Sequence, residues 1–245
     1  MSEGLNKYWE NGENYNRYIT SELNSFRKEA WKKQICDHFP SGRSLKILDL
    51  GCGPGFFSGI LSEAGHQVIG IDASRGMLEC AKENARKLQV DPTLMWMDIN
   101  NLTFTDETFD VIVTRNVTWT LTQPEKVYAE LYRILKNDGM MLIYDALWHK
   151  HLYDPEMYVR VLEREKCHFE KYGVREVICE NREEYKDNLP MEKKNRPTWD
   201  RKYLESLSMQ VTIQENIGRW LYEQWEKDLY AEHPLFEICA VKRKQ

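Results

Sequence analysis

The sequence is short of several things, and each shortage excludes something. Cysteine occurs six times in 245 residues, at Cys36, Cys52, Cys80, Cys167, Cys179 and Cys239, with no CxxC pair. That scatter disfavours a metal cluster or a disulfide framework and fits reduced thiols. No apolar run approaches the roughly 20 residues of a membrane span. The opening stretch, MSEGLNKYWENGENYNRYI, lacks the basic-then-apolar order of a secretory signal. A cytoplasmic protein that engages no membrane is expected, and the sequons at Asn101 and Asn116 then read as accidental. Positive charge is not in excess. Lys and Arg number 34 against 39 Asp and Glu, for a net charge of −5. That balance argues against a nucleic-acid partner, which needs a basic face. Internal repeats and low-complexity tracts are also missing.

What remains is a chain of ordinary globular composition, 42% hydrophobic, with eight Trp and 13 Tyr. Its length buries a sizeable core and suits one α/β domain carrying an elaborated lid, or one domain plus a small subdomain. Residues 1–20 are polar and rich in Asn and Tyr, either a loose segment or a cover that orders on a ligand. A helix is expected over 21–39, capped by Ser21. Short apolar strands follow at 45–50, 67–72, 93–98, 109–114 and 140–148. Helices at 53–65, 74–89 and 124–136 alternate with them, and Asn137–Asp138–Gly139 stops the last. Continuous apolar strands separated by amphipathic helices indicate a parallel sheet covered on both faces, a doubly wound Rossmann-like fold.

The rhythm changes after Trp148. Residues 150–188 are highly charged and read as helical, 189–200 as a Pro-punctuated loop and 201–207 as a short helix. A strand at 209–214, a helix at 217–233 and a strand at 235–243 close the chain. The expected organisation is an N-terminal helical cover (1–40), a Rossmann-like core (41–149), a lid insertion (150–206) and terminal strands completing a seven-stranded, mostly parallel sheet (207–245). Such an insertion lies near the carboxyl ends of the strands, over the ligand crevice.

The chemical signal is ILDLGCGPGFFS (47–58), at the turn from the first strand to its helix. Gly51, Gly53 and Gly55 let the backbone bend and approach a ligand closely. Their amides and the helix N-terminus offer donors to a polar group. The spacing is GxGxG rather than the GxGxxG of a dinucleotide site, which argues against a nicotinamide oxidoreductase. Asp49 precedes the turn. Asp72 ends the next strand, 21 residues after Gly51, where a carboxylate can accept from both hydroxyls of a ribose. Asp98 ends the third strand and can accept from an adenine amino group, with Ile99 packing on the ring and Met77 on its other face.

Taken together, LDLGCGPG, GIDAS, DIN, FDVIVTRN and LKNDGMMLI resemble the successive motifs of class I S-adenosylmethionine (SAM)-dependent methyltransferases, over about residues 45–146. The motifs are similar to those of the small-molecule group that includes the UbiE and MenG enzymes. One departure is the turn LKNDG, where the family usually has LKPGG. The resemblance implies a SAM cofactor. Asp49 and Gly51 would lie by its amino-acid part, Asp72 by the ribose, Asp98 and Ile99 by the adenine, and Ala73, after Asp72, in the same cofactor site. Arg115 is implied as a partner of the SAM carboxylate, and Asn116 as a bridge between cofactor and acceptor. Tyr8, Trp9, Tyr15 and Tyr18 belong to the region that folds over SAM in related enzymes. RNVTW stands where base N-methylating enzymes carry [DN]PP[YF], which lowers that activity, and no metal triad is visible.

The acceptor side is expected to draw on Trp119, Tyr144, Trp148, His149 and Trp199, with Tyr144 preferred to Asp145 at the end of the fifth strand although alternation could turn it away. A histidine there, His149 or His151, could act as a base, and aromatic rings could stack on an acceptor or hold a cation. A thiolate, phenolate or amine acceptor needs no base, so no catalytic residue is assigned. The expected activity is transfer of the SAM methyl group to a small molecule by in-line displacement, in a monomer or homodimer. A SAM-binding sensor without turnover shares every one of these motifs. An RNA or protein methyltransferase fits less well, because the chain is acidic.

Overall fold

The structure, a computed structural model, describes residues 12–173 and 189–244. Tyr8, Trp9, Cys179 and the second part of the charged stretch 150–188 lie outside the described residues.

Two helices open the described chain, α1 (Gly12–Leu23) and α2 (Arg27–Cys36). The single helix expected over 21–39 is therefore divided, and its proposed cap Ser21 lies inside α1. The break follows from side chains that compete for backbone partners. Asn24 donates its amide to the Thr20 carbonyl at 2.8 Å, and the Ser25 hydroxyl donates to the Glu22 carbonyl at 3.0 Å.

The sheet strands are β1 (Lys46–Leu50), β2 (Gln67–Asp72), β3 (Thr93–Trp96), β4 (Phe109–Arg115), β5 (Leu135–Asp145), β6 (Met209–Gln214) and β7 (Phe236–Lys242). Their order is β3-β2-β1-β4-β5-β7-β6. The first five are parallel, and β7 runs antiparallel between β5 and β6. This is the seven-stranded, mostly parallel Rossmann-like sheet expected. Helices α3 (Phe56–Glu63), α4 (Arg75–Lys87) and α5 (Pro124–Ile134) make its crossovers. β5 begins at Leu135, five residues earlier than expected. Leu135 pairs with Phe109, and the register then slips so that Val111 pairs with Met140.

Strand residues divide by parity between the two faces. Leu48, Leu50, Ile112, Met141 and Ile143 pack with Val127, Tyr128, Leu131 and Ile134 of α5. Ile47, Val111, Val113, Leu142 and Tyr144 pack with Trp31 and Ile35 of α2 and with Phe57, Ile60 and Leu61 of α3. Apolar side chains on both parities are what a sheet buried on two sides requires.

After β5 come a 3₁₀ turn (Lys150–Leu152), the helix α6 (Pro155–Tyr172), a 3₁₀ turn (Pro190–Lys193) and α7 (Thr198–Ser206). The helix expected at 217–233 is two short ones, α8 (Gly218–Leu221) and α9 (Gln224–Leu229), and Glu223 and Glu226 form a capping box at the start of α9. No helix among the described residues is long and apolar enough to cross a membrane.

Candidate functional site

A cavity of about 360 Å³ opens at the carboxyl ends of β1, β2 and β4. The Gly-rich turn forms its floor. Gly51 has φ +66, and a Cβ there would come within 2.6 Å of Val117 Cγ2. Gly55 has φ +81, and its Cβ would meet Ala81 of α4 at 2.9 Å. Backbone twist and close approach thus both demand glycine at these two positions.

Two acids face the cavity. Asp49, on β1, is buried and accepts a 2.6 Å hydrogen bond from the Ser58 hydroxyl. Burial pushes its carboxyl up to about 6, against the opposing pull of Ser58. Asp72, at the end of β2, is oriented by backbone amides. Gly53 N donates to Oδ2 at 2.9 Å and Ser74 N to Oδ1 at 2.8 Å. Burial raises this carboxyl too, opposed by the same amides. Its fixed orientation leaves the outer lone pairs for a ligand. Ser74 also caps α4 by accepting from Met77 N at 3.2 Å, which sets Met77 on the cavity wall.

α1 covers the opening. Tyr15 and Ile19 line the cavity, and Asn16 accepts a 2.8 Å bond from Asn84 of α4. Asn116, which follows β4, has φ +58 and lines the cavity. Its Oδ1 is buried with no partner among the described residues. All three residues of the following 3₁₀ turn (Thr118–Thr120) are buried, and Thr120 borders the cavity.

Arg115 also lines the cavity, but its guanidinium is already engaged. Nη1 donates to Glu22 Oε1 at 3.1 Å and Nη2 to Oε2 at 2.8 Å. The same guanidinium carbon lies 4.6 Å from the Phe56 ring centroid. Burial alone would lower its pKa; the charge and hydrogen bonds of Glu22, together with the neighbouring Tyr15 and Tyr18, outweigh this and the net direction is upward. Glu22 also pairs with Arg27, which donates to Glu226 at 2.8 Å. A buried, charge-balanced chain thus ties α1, α2, β4 and α9 together.

Of the expected cofactor residues, Asp49, Gly51, Gly53, Asp72, Ala73, Met77, Arg115, Asn116 and Tyr15 line this one cavity. Gly55 lies just beneath, against α4. Tyr18 points elsewhere and donates to Glu226 at 2.8 Å. Asp98 is exposed and accepts from Asn100 N at 2.9 Å, and Ile99 packs in the core. Sequence reasoning did not single out Trp96, Arg75 or Thr120, which also line it. Trp96 donates its indole N–H to the Ala73 carbonyl at 2.7 Å, and Arg75 stacks 4.6 Å over the indole. A Trp within the third expected strand, two residues before Asp98, was the available signal.

None of the five expected acceptor residues lines this cavity. Trp119 is buried, donates to the Asn116 carbonyl at 3.0 Å and lies 4.7 Å from the His149 ring. Trp148 donates to Asp145 Oδ1 at 3.2 Å. His149 donates its backbone N–H to Glu192 at 3.2 Å. Tyr144 is fully buried, with its ring edge-on to Trp31 at 5.1 Å. Trp199 stacks on Tyr203 at 5.6 Å, on the side of α5. Glu192 was not anticipated: it is buried, and burial followed by the Asp145 charge pushes its carboxyl up to about 8. No group of three or more His, Cys, Asp or Glu among the described residues could hold a metal ion.

The donor set suits SAM. One carboxylate matches an ammonium, a second matches a ribose diol, and an orphan amide oxygen seeks a donor. Comparison with known proteins agrees. Residues 48–143 match the methyltransferase domain family. A UbiE ubiquinone/menaquinone biosynthesis C-methyltransferase from Haemophilus ducreyi is 32% identical over 56% of this chain and 54% of its own. A phosphatidylethanolamine N-methyltransferase from Cereibacter sphaeroides is 31% identical over 53% of this chain and 64% of its own. The chain thus spans less than two thirds of the length of either relative. The fold matches a phosphoethanolamine N-methyltransferase from Haemonchus contortus solved with SAM, at a TM-score of 0.60 and 18% identity, over 92% of this chain and 60% of that one. Residues 48–143 thus form a methyltransferase domain of the class I SAM-dependent type, whose cofactor is SAM.

Proposed function

We propose that the protein transfers the methyl group of SAM to a small-molecule acceptor. The observation that carries this is the meeting of Asp49 and Asp72 on one cavity floored by the Gly-rich turn. When bound, SAM supplies an electrophilic methyl carbon on a sulfonium. Asp49 would hold the ammonium of its amino-acid part and Asp72 the ribose hydroxyls. Tyr15 and Ile19 of α1 would exclude water above the reacting centre, which favours a reaction that consumes positive charge. Asn116, held with φ +58, would present its amide to the cofactor and toward the acceptor. Positioning and desolvation supply the rate in this reading, and no general base is assigned. The similar proteins named above methylate carbon and nitrogen by their printed names.

The test is calorimetric titration with SAM and S-adenosylhomocysteine, on the wild type and on Asp72→Ala, followed by a labelled-methyl screen of small amines, phenols and thiols. Micromolar-range binding that collapses in the variant, with transfer to one acceptor class, is expected. Binding of neither ligand by folded protein overturns the cofactor reading. Binding without transfer to any acceptor favours a sensor.

A further inference from the structure

A second buried polar system lies beside the cofactor cavity without touching it. Its centre is Arg196, from the segment between the Pro190–Lys193 turn and α7, with no exposed side-chain surface. Nη1 donates to Asp145 Oδ2 at 3.1 Å, Nε to Asp200 Oδ2 at 3.0 Å, and Nη2 to the Thr118 hydroxyl at 2.6 Å. Thr118 in turn donates to Asp145 Oδ2. The same carboxylate oxygen accepts from Trp119 N at 2.8 Å. Asp145 Oδ1 accepts from Ala146 N at 2.9 Å. Asp200 also accepts from the Tyr128 hydroxyl at 2.6 Å.

Each polar atom in this bracket has a defined partner, so it has one arrangement rather than several. What it fixes is the Thr118–Thr120 turn. Immediately before that turn stand Asn116 and Val117, and both line the cavity, as does Thr120. There is no slack between this turn and the Gly-rich floor, because a Cβ on Gly51 would already meet Val117 at 2.6 Å. A displacement at Thr118 is therefore passed to the cofactor wall through two residues of chain.

We infer that Arg196, a residue that does not line the cofactor cavity, is a positioning residue that couples the 189–200 segment to the cofactor wall through Thr118 and Asp145. The inference rests on the cofactor reading above. Coupling of this kind is reciprocal: what the segment does to ligand affinity, the ligand does to the segment.

The experiment compares wild type, Thr118→Val and Arg196→Lys. Thr118→Val keeps the side-chain shape and the direct Arg196–Asp145 pair, so it tests the bracket even if Arg196→Lys fails to fold. Two readouts are taken, calorimetric affinity for S-adenosylhomocysteine and amide hydrogen exchange with and without it. In the wild type the ligand is expected to slow exchange over 189–200, although none of these residues lines the cavity. In Thr118→Val, affinity should fall roughly three- to thirtyfold. Exchange should rise over 115–121 and 189–200 without the ligand and stay unchanged in β1 and β2. Unchanged affinity in the variant, or no ligand protection over 189–200 in a wild type that binds, overturns the coupling. A wild type that binds no ligand overturns the cofactor reading instead. The unliganded exchange of 115–121 and 189–200 in Thr118→Val then still decides whether the bracket holds both segments.

Discussion

Asp49 offers the sharpest test of how the site works, because one residue should push stability and affinity in opposite directions. Its carboxyl is buried and held at about 6, above its ordinary value. A carboxyl raised on folding contributes stability that is complete below the unfolded value of about 3.9 and is lost as pH rises through the folded value near 6. At pH 7 the unliganded protein therefore carries a penalty of about 3 kcal/mol for ionising Asp49. An ammonium bound beside it offsets that penalty. Asp49→Asn should accordingly be more stable than wild type without ligand at pH 7, by up to that amount, and equally stable near pH 4. Its affinity for S-adenosylhomocysteine should nevertheless fall, by roughly ten- to hundredfold for one lost charge-assisted contact. The wild-type affinity should be flat between about pH 6.5 and 7.5 and weaken about tenfold by pH 5, as the carboxylate is protonated. Calorimetric titration across that range, with thermal melts of the unliganded proteins, gives both quantities. If Asp49→Asn keeps the wild-type pH slope, or binds as tightly as wild type, the assignment of Asp49 to the ammonium is refuted.

Other outcomes follow from single positions. Gly51→Ala forces a Cβ into a left-handed residue and against Val117, so it should cost about 2–4 kcal/mol by denaturant melt and abolish cofactor binding. Glu192, raised to about 8, contributes stability that is complete below about 4.3 and lost as pH rises through 8. Glu192→Gln has no charge to acquire, so its melting temperature should gain on wild type between pH 5 and pH 9; a constant difference would show that Glu192 ionises freely.

Much of this protein is legible without its tertiary structure, and the reason is locality. Strands such as Lys46–Leu50 and Phe109–Arg115 are apolar at both parities, which itself states that the sheet is covered on two faces. Asp49, the Gly-rich turn and Asp72 lie within one strand–helix–strand unit, so chain geometry alone brings them together. The end of the fifth strand was ambiguous, because alternation permits either Tyr144 or Asp145 to reach a ligand. Tyr144 goes into the α2–α3 core, and Asp145 is taken up by Thr118 and Arg196. The α1 start was missed because the stretch around Gly12 is polar and rich in Asn, without helical apolar periodicity; packing of Tyr15, Tyr18 and Ile19 on the core holds the helix.

The sequence by itself determined the layer order, the crossovers and the positions of the two acids, since each depends on periodicity or on residues a few positions apart. Only the tertiary structure decided which charges are already spent. Arg115 reads as a free cation beside a ligand until Glu22, 93 residues earlier, closes on it. Arg196 reads as a loop residue until Asp145, 51 residues earlier, closes on it from the end of the fifth strand. Pairing across such separations leaves no periodic mark in the chain, because it is selected by burial of charge, and that exists only once the core has formed.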